Sequence, residues 1–147
     1  MSTTPKPISE TIGFEFARVS MAYRSRASRM LAEVGLHVGQ EMLLQSLWQE
    51  DRLTQSGLAD RLRIQLATVN KMIRRMERAG WVTKCADAQD GRVSRVQLTQ
   101  KGRDMQAATE QVWERFEQCT LANFTLAEQG ILRRLLHRLD ENLSQED

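Results

Sequence analysis

The sequence predicts a mainly α-helical protein that contains one small β-hairpin. Apolar residues recur at three- and four-residue intervals through most of the chain, which is typical of amphipathic helices. Two of these helices are joined by only three residues, Arg63 to Gln65, as in a helix-turn-helix motif. Directly after them the apolar spacing changes to two, and the pair Asp90-Gly91 predicts a turn between two strands.

The composition is ordinary, but the positive charge is locally concentrated. The 147 residues are 41% hydrophobic and 27% charged, which fits one folded domain or a domain with helical extensions. The formal net charge is only +2, yet residues 61–95 contain nine Lys or Arg and three acidic residues. A basic patch of this kind attracts polyanions, so a nucleic-acid partner is expected.

Several classes of protein are not expected from this sequence. There is no run of eighteen apolar residues for a membrane span, and the first residues lack the apolar core of a secretory signal. We therefore expect a cytoplasmic protein without membrane contact. Cys85 and Cys119 match neither a disulfide framework nor a zinc motif, so we expect no metal and no cofactor. Phosphate-binding loops and nucleophile motifs are also missing from the sequence, and we do not expect an enzyme.

The first two expected helices differ in how they present apolar residues. The first spans about Ile8 to Val34, and Gly35 is expected to end it. A helix of this length near one end of a chain often leaves its apolar stripe to a partner chain. The second spans Gly39 to Gln49, and its apolar positions cover so much of the surface that we expect it to be largely buried; these positions are Met42, Leu43, Leu44, Leu47 and Trp48.

The fourth expected helix, Leu66 to Ala79, has two chemically opposite faces. Thr54 is expected to cap the third helix, which precedes the fourth. Gly80 is expected to end the fourth helix. Its apolar stripe consists of Val69, Met72, Ile73 and Met76. The other side carries Ala67, Asn70, Lys71, Arg74, Arg75 and Arg78. Such a helix can pack on a core and present positive charge to a groove.

The remainder of the chain predicts a hairpin followed by two more helices. The strands are expected at Trp81 to Cys85 and at Arg92 to Leu98. Thr99 is expected to cap a helix that continues to Leu121. Thr125 and Glu128 form a capping-box pattern for the last helix, whose leucine stripe is Leu132, Leu135, Leu136, Leu139 and Leu143.

Three segments in this order give the chain a family resemblance. They are LTQSGLADRL (Leu53 to Leu62), ATVNKMIRRMERAGWV (Ala67 to Val82) and DAQDGRVSRVQLTQKG (Asp87 to Gly102). With them the chain resembles the MarR family of winged helix-turn-helix transcriptional regulators, over about Val34 to Met105. The resemblance implies a winged helix-turn-helix over residues 36–99, flanked by dimerisation helices over residues 8–34 and 100–143. The chain departs from the family pattern at Gln65-Leu66-Ala67 and at Gln89 and Gly91 of the wing tip.

The charge pattern and the resemblance together define a candidate interface with double-stranded DNA. The cationic helix is expected in the major groove, where Asn70 can pair with adenine and Arg or Lys with guanine. Arg92 is expected to contact the backbone or minor groove, or else to pair with Asp87 or Asp90. Lys84 and Arg95 are expected either to touch phosphates or to brace the hairpin. The full candidate set is Thr54, Gln55, Ser56, Ala67, Thr68, Asn70, Lys71, Arg74, Arg75, Lys84, Arg92 and Arg95.

The resemblance also implies a homodimeric repressor that a small aromatic acid releases from a pseudo-palindromic operator. The apolar residues chosen for the dimer interface are Phe14, Phe16, Leu132, Leu135 and Leu139. The candidate ligand pocket lies where the dimer helices meet the winged helix, with Tyr23, Arg24, Met30, His37, Met42 and Trp113. Two alternatives stay open: a thiol-based redox regulator of the same fold, and a winged-helix protein-interaction module that binds no operator.

Overall fold

Seven helices and a small sheet account for most of residues 4–145, the part of the chain that the computed structural model describes. The helices are α1 (Ile12–Leu31), α2 (Gln40–Gln49), α3 (Gln55–Leu62), α4 (Leu66–Arg78), α5 (Gln100–Asp104), α6 (Gln106–Thr120) and α7 (Leu126–Leu143). The strands are β1 (Leu53–Thr54), β2 (Val82–Ala86) and β3 (Ser94–Leu98). This confirms the mainly α fold class. The chain divides into two compact units between Trp113 and Glu114.

Two of the expected long helices are interrupted. The first is preceded by a 3₁₀ turn, Ile8–Glu10, because Thr11 is extended and caps α1 by accepting a hydrogen bond from the Phe14 N–H at 3.1 Å. A second 3₁₀ turn leads to Gly35, which adopts the expected left-handed conformation with φ 79°. The expected helix from residue 100 to 121 is broken at Met105, which separates α5 from α6.

The hydrophobic core lies in the first unit, where α2, α3, α4 and the sheet contribute side chains. The apolar stripe of α4 is confirmed, since Val69, Ile73 and Met76 are fully buried and Met72 is partly buried. Full burial of such side chains contributes roughly 1.5–3 kcal/mol each, which fixes the inner face of α4 against the core.

The expectation that the apolar positions of α2 are buried is wrong for Met42, whose side chain is 53% exposed. The buried face of α2 instead includes Gln40, Glu41 and Ser46. These polar side chains can be buried because each bonds to nearby backbone. The Gln40 and Glu41 side chains accept from the N–H groups of His37 at 2.9 Å and Gly39 at 2.8 Å. Burial nevertheless raises the pKa of Glu41.

The sheet has three antiparallel strands in the order β1-β3-β2, one more than the sequence predicts. The hairpin pairs Val82 with Leu98 at its base and Ala86 with Ser94 near its tip. The additional strand, β1, pairs Leu53 with Val96. It is two residues long, which is too short to produce an alternating pattern in the sequence.

Gly102 holds the base of the hairpin against the helix that follows. A Cβ atom at this position would lie 2.1 Å from the Trp81 carbonyl oxygen, so no other residue fits without movement of the backbone. Thr99 caps α5 as expected by accepting from the Gly102 N–H at 3.1 Å. The indole of Trp48 donates to the Gly102 carbonyl at 3.0 Å, which links α2 to the same point.

The second unit contains the end of α6 and all of α7. The expected capping box is confirmed, because Thr125 accepts from the Glu128 N–H at 3.1 Å and Glu128 accepts from the Thr125 N–H at 3.0 Å. The same bonds from Thr125 lower the pKa of Glu128. Within residues 4–145, no helix combines the length and the apolar character that a membrane span requires.

Candidate DNA-binding surface

The outer face of α4 is an exposed cationic surface of the helix-turn-helix. We use this name for Ala67, Lys71, Arg74, Arg75 and Arg78, all of which are exposed. Across the described residues, 4–145, none of its four cations is in an ion pair or a side-chain hydrogen bond. Positive charge on this face is therefore not neutralised by the protein itself. Thr68 is exposed beside it.

The turn into α4 provides no side-chain cap for this helix. Arg63 adopts a left-handed conformation with φ 54°, which ends α3 and redirects the chain. Gln65 occupies the N-cap position of α4, and its side chain makes no capping hydrogen bond. The first N–H groups of α4 are consequently left without a side-chain acceptor, and groups of this kind can bind phosphate.

The start of α3 is joined to α4 through two amide side chains. Thr54 caps α3 as expected, since its hydroxyl accepts from the Gly57 N–H at 3.0 Å. The adjacent Gln55 donates from Nε2 to Oδ1 of Asn70 at 2.9 Å. Both amides are partly buried, whereas Ser56 is exposed. No local sequence pattern predicts this pair, because its members are fifteen residues apart.

The wing, residues 82–98, has a tip that is closed by aspartate side chains. Asp87 accepts from the N–H groups of Gln89 at 3.1 Å and Asp90 at 2.9 Å, and its own N–H donates to the Val93 carbonyl at 2.9 Å. The turn expected at Asp90-Gly91 is present, but Gly91 is not among the residues with positive φ. A Cβ at Gly91 would also meet no atom within 4 Å, so the aspartates and not the glycine determine this turn.

Each candidate cation of the wing is paired with a carboxylate. Arg95 donates to Asp87 at 2.6 Å, and Arg92 to Asp90 at 3.1 Å. Lys84 lies 3.7 Å from a carboxylate oxygen of Glu77 on α4. The hydrogen bond from Arg95 lowers the pKa of Asp87. The hydrogen bond from Arg92 lowers the pKa of Asp90.

Arg95 and Arg92 nevertheless differ in accessibility. Arg95 also donates to the Arg52 carbonyl at 2.8 Å, so it braces the hairpin against the segment before β1. Its side chain is 34% exposed, whereas that of Arg92 is 92% exposed. Arg92 is therefore accessible to a large partner although it is paired with a carboxylate. Arg95 is much less accessible.

A cleft of about 330 Å³ lies beside α4 in the first unit. Its lining residues are Gly35, His37, Gln40, Arg75, Arg78, Ala79 and Trp81. Of the six residues expected to bind a ligand, His37 is the one that lines it. The others are placed differently: Tyr23, Arg24 and Met42 are exposed, Met30 is partly buried, and Trp113 packs against the core.

A helix-turn-helix with an unpaired basic outer face, followed by a two-stranded wing, is the arrangement of winged-helix DNA-binding proteins. Residues 36–94 match the model of the MarR family. The repressor Rv2887 of Mycobacterium tuberculosis is 28% identical over 128 residues, which cover 87% of this chain and 92% of that protein.

Two solved structures share the fold. BpsR of Bordetella bronchiseptica superimposes with a TM-score of 0.86 at 22% identity, over 93% of this chain and 98% of that one. MepR of S. aureus, solved as a DNA complex, gives 0.81 at 24% identity, over 94% of this chain and 100% of that one. The region over residues 36–94 is thus of the MarR-family type, and the chain is similar over most of its length to a transcriptional repressor.

Proposed function

We propose that this protein is a homodimeric repressor that binds a pseudo-palindromic operator and is released by a small aromatic acid. Residues 36–99 would form the DNA-binding part, and residues 8–34 and 100–143 the dimerisation part. In this proposal the outer face of α4 enters the major groove, the start of α3 meets phosphate, and Arg92 follows the backbone beside it. The repressor role is supported by the repressor Rv2887, which matches most of the chain.

The proposed dimer is supported by the apolar side chains that are exposed on α1 and on α7. On α1, Ile12 is 79% exposed and Val19 is 66% exposed. On α7, Leu135, Leu139 and Leu143 are 42%, 37% and 76% exposed. Clustered apolar surface of this kind marks an interface, since monomeric proteins rarely leave it in water. Two-fold dimers place their recognition helices about one turn of DNA apart, which gives the operator its symmetry.

The cleft beside α4 supports an effector site. Arg75 and Arg78 offer positive charge without a carboxylate partner within residues 4–145, and Trp81 offers an aromatic wall. This combination suits an aromatic ring that carries a carboxylate. The solved structure of BpsR concerns regulation of DNA binding by 6-hydroxynicotinic acid, a compound of this class. A ligand here would contact α4 itself and favour a conformation with altered DNA affinity.

The dimer is tested by adding charge to α7. Leu135→Glu with Leu139→Glu should convert a dimer to a monomer in sedimentation experiments and weaken operator binding by at least about 100-fold, because half-sites are then bound singly. His137→Glu is the control, since it adds one glutamate charge, against two in the test variant, on the opposite side of the helix by spacing. A double variant that stays dimeric and keeps its operator affinity would show that α7 is not the interface.

A further inference from the structure

The hydrogen bond between Gln55 and Asn70 connects the first residue of α3 to the helix proposed to enter the major groove. Nε2 of Gln55 donates to Oδ1 of Asn70 at 2.9 Å. Both side chains are partly buried, and Thr54 fixes the backbone beside Gln55 by capping α3. The bond therefore joins two partly buried side chains on neighbouring helices.

The bond also decides which end of the Asn70 amide is available. An asparagine amide has an oxygen that accepts and a nitrogen that donates two hydrogen bonds. Because Oδ1 accepts from Gln55, the Nδ2 amide group of Asn70 points away from Gln55. No hydrogen bond from this NH2 group is present within residues 4–145. A turn of both amides together would reverse this bond, so the orientation of the Gln55 amide sets which end of the Asn70 amide is free.

We infer that Gln55 is a positioning residue for base recognition, which holds Asn70 so that it presents a donor to DNA. This inference rests on the proposed operator binding. Guanine shows two acceptors, N7 and O6, in the major groove, whereas adenine shows one acceptor and one donor. An Asn70 amide held by Gln55 matches guanine better, in contrast to the adenine pairing expected from the sequence. Specificity at this base is then set by α3 as well as by α4.

The test is selection from randomised operators with the full-length protein and three variants. The wild type should prefer guanine at one position of each half-site by about 10-fold, the size of one good base contact. Gln55→Ala should reduce that preference to the level of Asn70→Ala. Gln55→Glu should change the preferred base, because a carboxylate only accepts hydrogen bonds. The NH2 group of Asn70 would then turn toward the carboxylate, and Oδ1 would face the DNA. Cytosine or adenine, which present donors, should then be selected.

Gln45→Ala is the matched control, since Gln45 is an exposed glutamine on α2 and the substitution should leave the selected sequence unchanged. An unchanged preference in both Gln55 variants would overturn the inference, as would additive losses in the Gln55→Ala, Asn70→Ala double variant. A wild type that selects no sequence would overturn the operator binding itself. Thermal unfolding of each variant separates these outcomes from loss of fold.

Discussion

The outer face of α4 and the wing carry similar charge but differ in how much of it is available. Lys71, Arg74, Arg75 and Arg78 on α4 have no partner among residues 4–145. The three wing cations are each paired, at distances of 2.6, 3.1 and 3.7 Å. A count of basic residues treats the two regions as equal. The structure shows that DNA would have to displace carboxylates at the wing but not at α4.

The two regions differ because they are stabilised in different ways. Val69, Ile73 and Met76 anchor α4 from its inner side, so its outer face is not needed for stability. The wing projects as a two-stranded hairpin, which is marginally stable in water without other support. Asp87 and Arg95 supply that support at the tip, and β1 supplies it at the base. The wing thus uses its charges to hold its own shape.

Of the changes to α4 and the wing, removing charge at α4 is expected to have the largest effect. The double variant Lys71→Ala, Arg74→Ala should weaken operator binding by about 100-fold and reduce the salt slope by about two units, since each cation would neutralise one phosphate. Titrations at several salt concentrations measure both quantities. Arg18→Ala, on an exposed position of α1, is the control. A double variant with the wild-type salt slope would contradict the role of this face.

A smaller effect is expected from Arg95→Ala. This change removes the bonds to Asp87 and to the Arg52 carbonyl, so the wing loses its brace. We expect about 10-fold weaker DNA binding and a lower Tm, with protease cleavage now occurring within residues 87–93. A variant with normal Tm and an intact wing, but weaker binding, would show that Arg95 contacts DNA directly.

The pH dependence of that variant gives a second measurement. Arg95 lowers the pKa of Asp87 below its ordinary value of 3.8. A lowered carboxylate pKa stabilises the fold above the ordinary value, and this contribution is lost as pH falls through the folded pKa. The difference in Tm between wild type and Arg95→Ala should therefore be constant from neutral pH down to about pH 5 and shrink below pH 4. A difference that grew in acid would contradict the ion pair.

The smallest effect is expected from Asp90→Asn, and it has the opposite sign. Asp90 holds the guanidinium of Arg92 and adds negative charge at the wing tip. Its removal should strengthen DNA binding by about 3-fold, with a slightly steeper salt slope. Glu77→Gln, which releases Lys84 in the same way, provides the comparison. Weaker binding by Asp90→Asn would mean that the pair is needed to shape the wing.

The helix caps could be predicted from the sequence, and the nonlocal contacts could not. The caps at Thr54, Thr99 and Thr125 depend on residues three positions away, and all three are present. Strand β1 could not be predicted, because two residues become a strand only by pairing with β3. The exposure of Met42 was missed because polar neighbours on α2 could satisfy their own hydrogen bonds and take the buried face.

The same division holds for the candidate site. The sequence by itself determined the two faces of α4, since the 3.6-residue period assigns each side chain to a face wherever the helix packs. Only the tertiary structure decided which charges are free, because ion pairs depend on distances in space. It also decided that Gln55 meets Asn70 across fifteen residues and that Trp48 meets Gly102 across fifty-four. Packing of the core brings these groups together, and no local sequence pattern predicts such contacts.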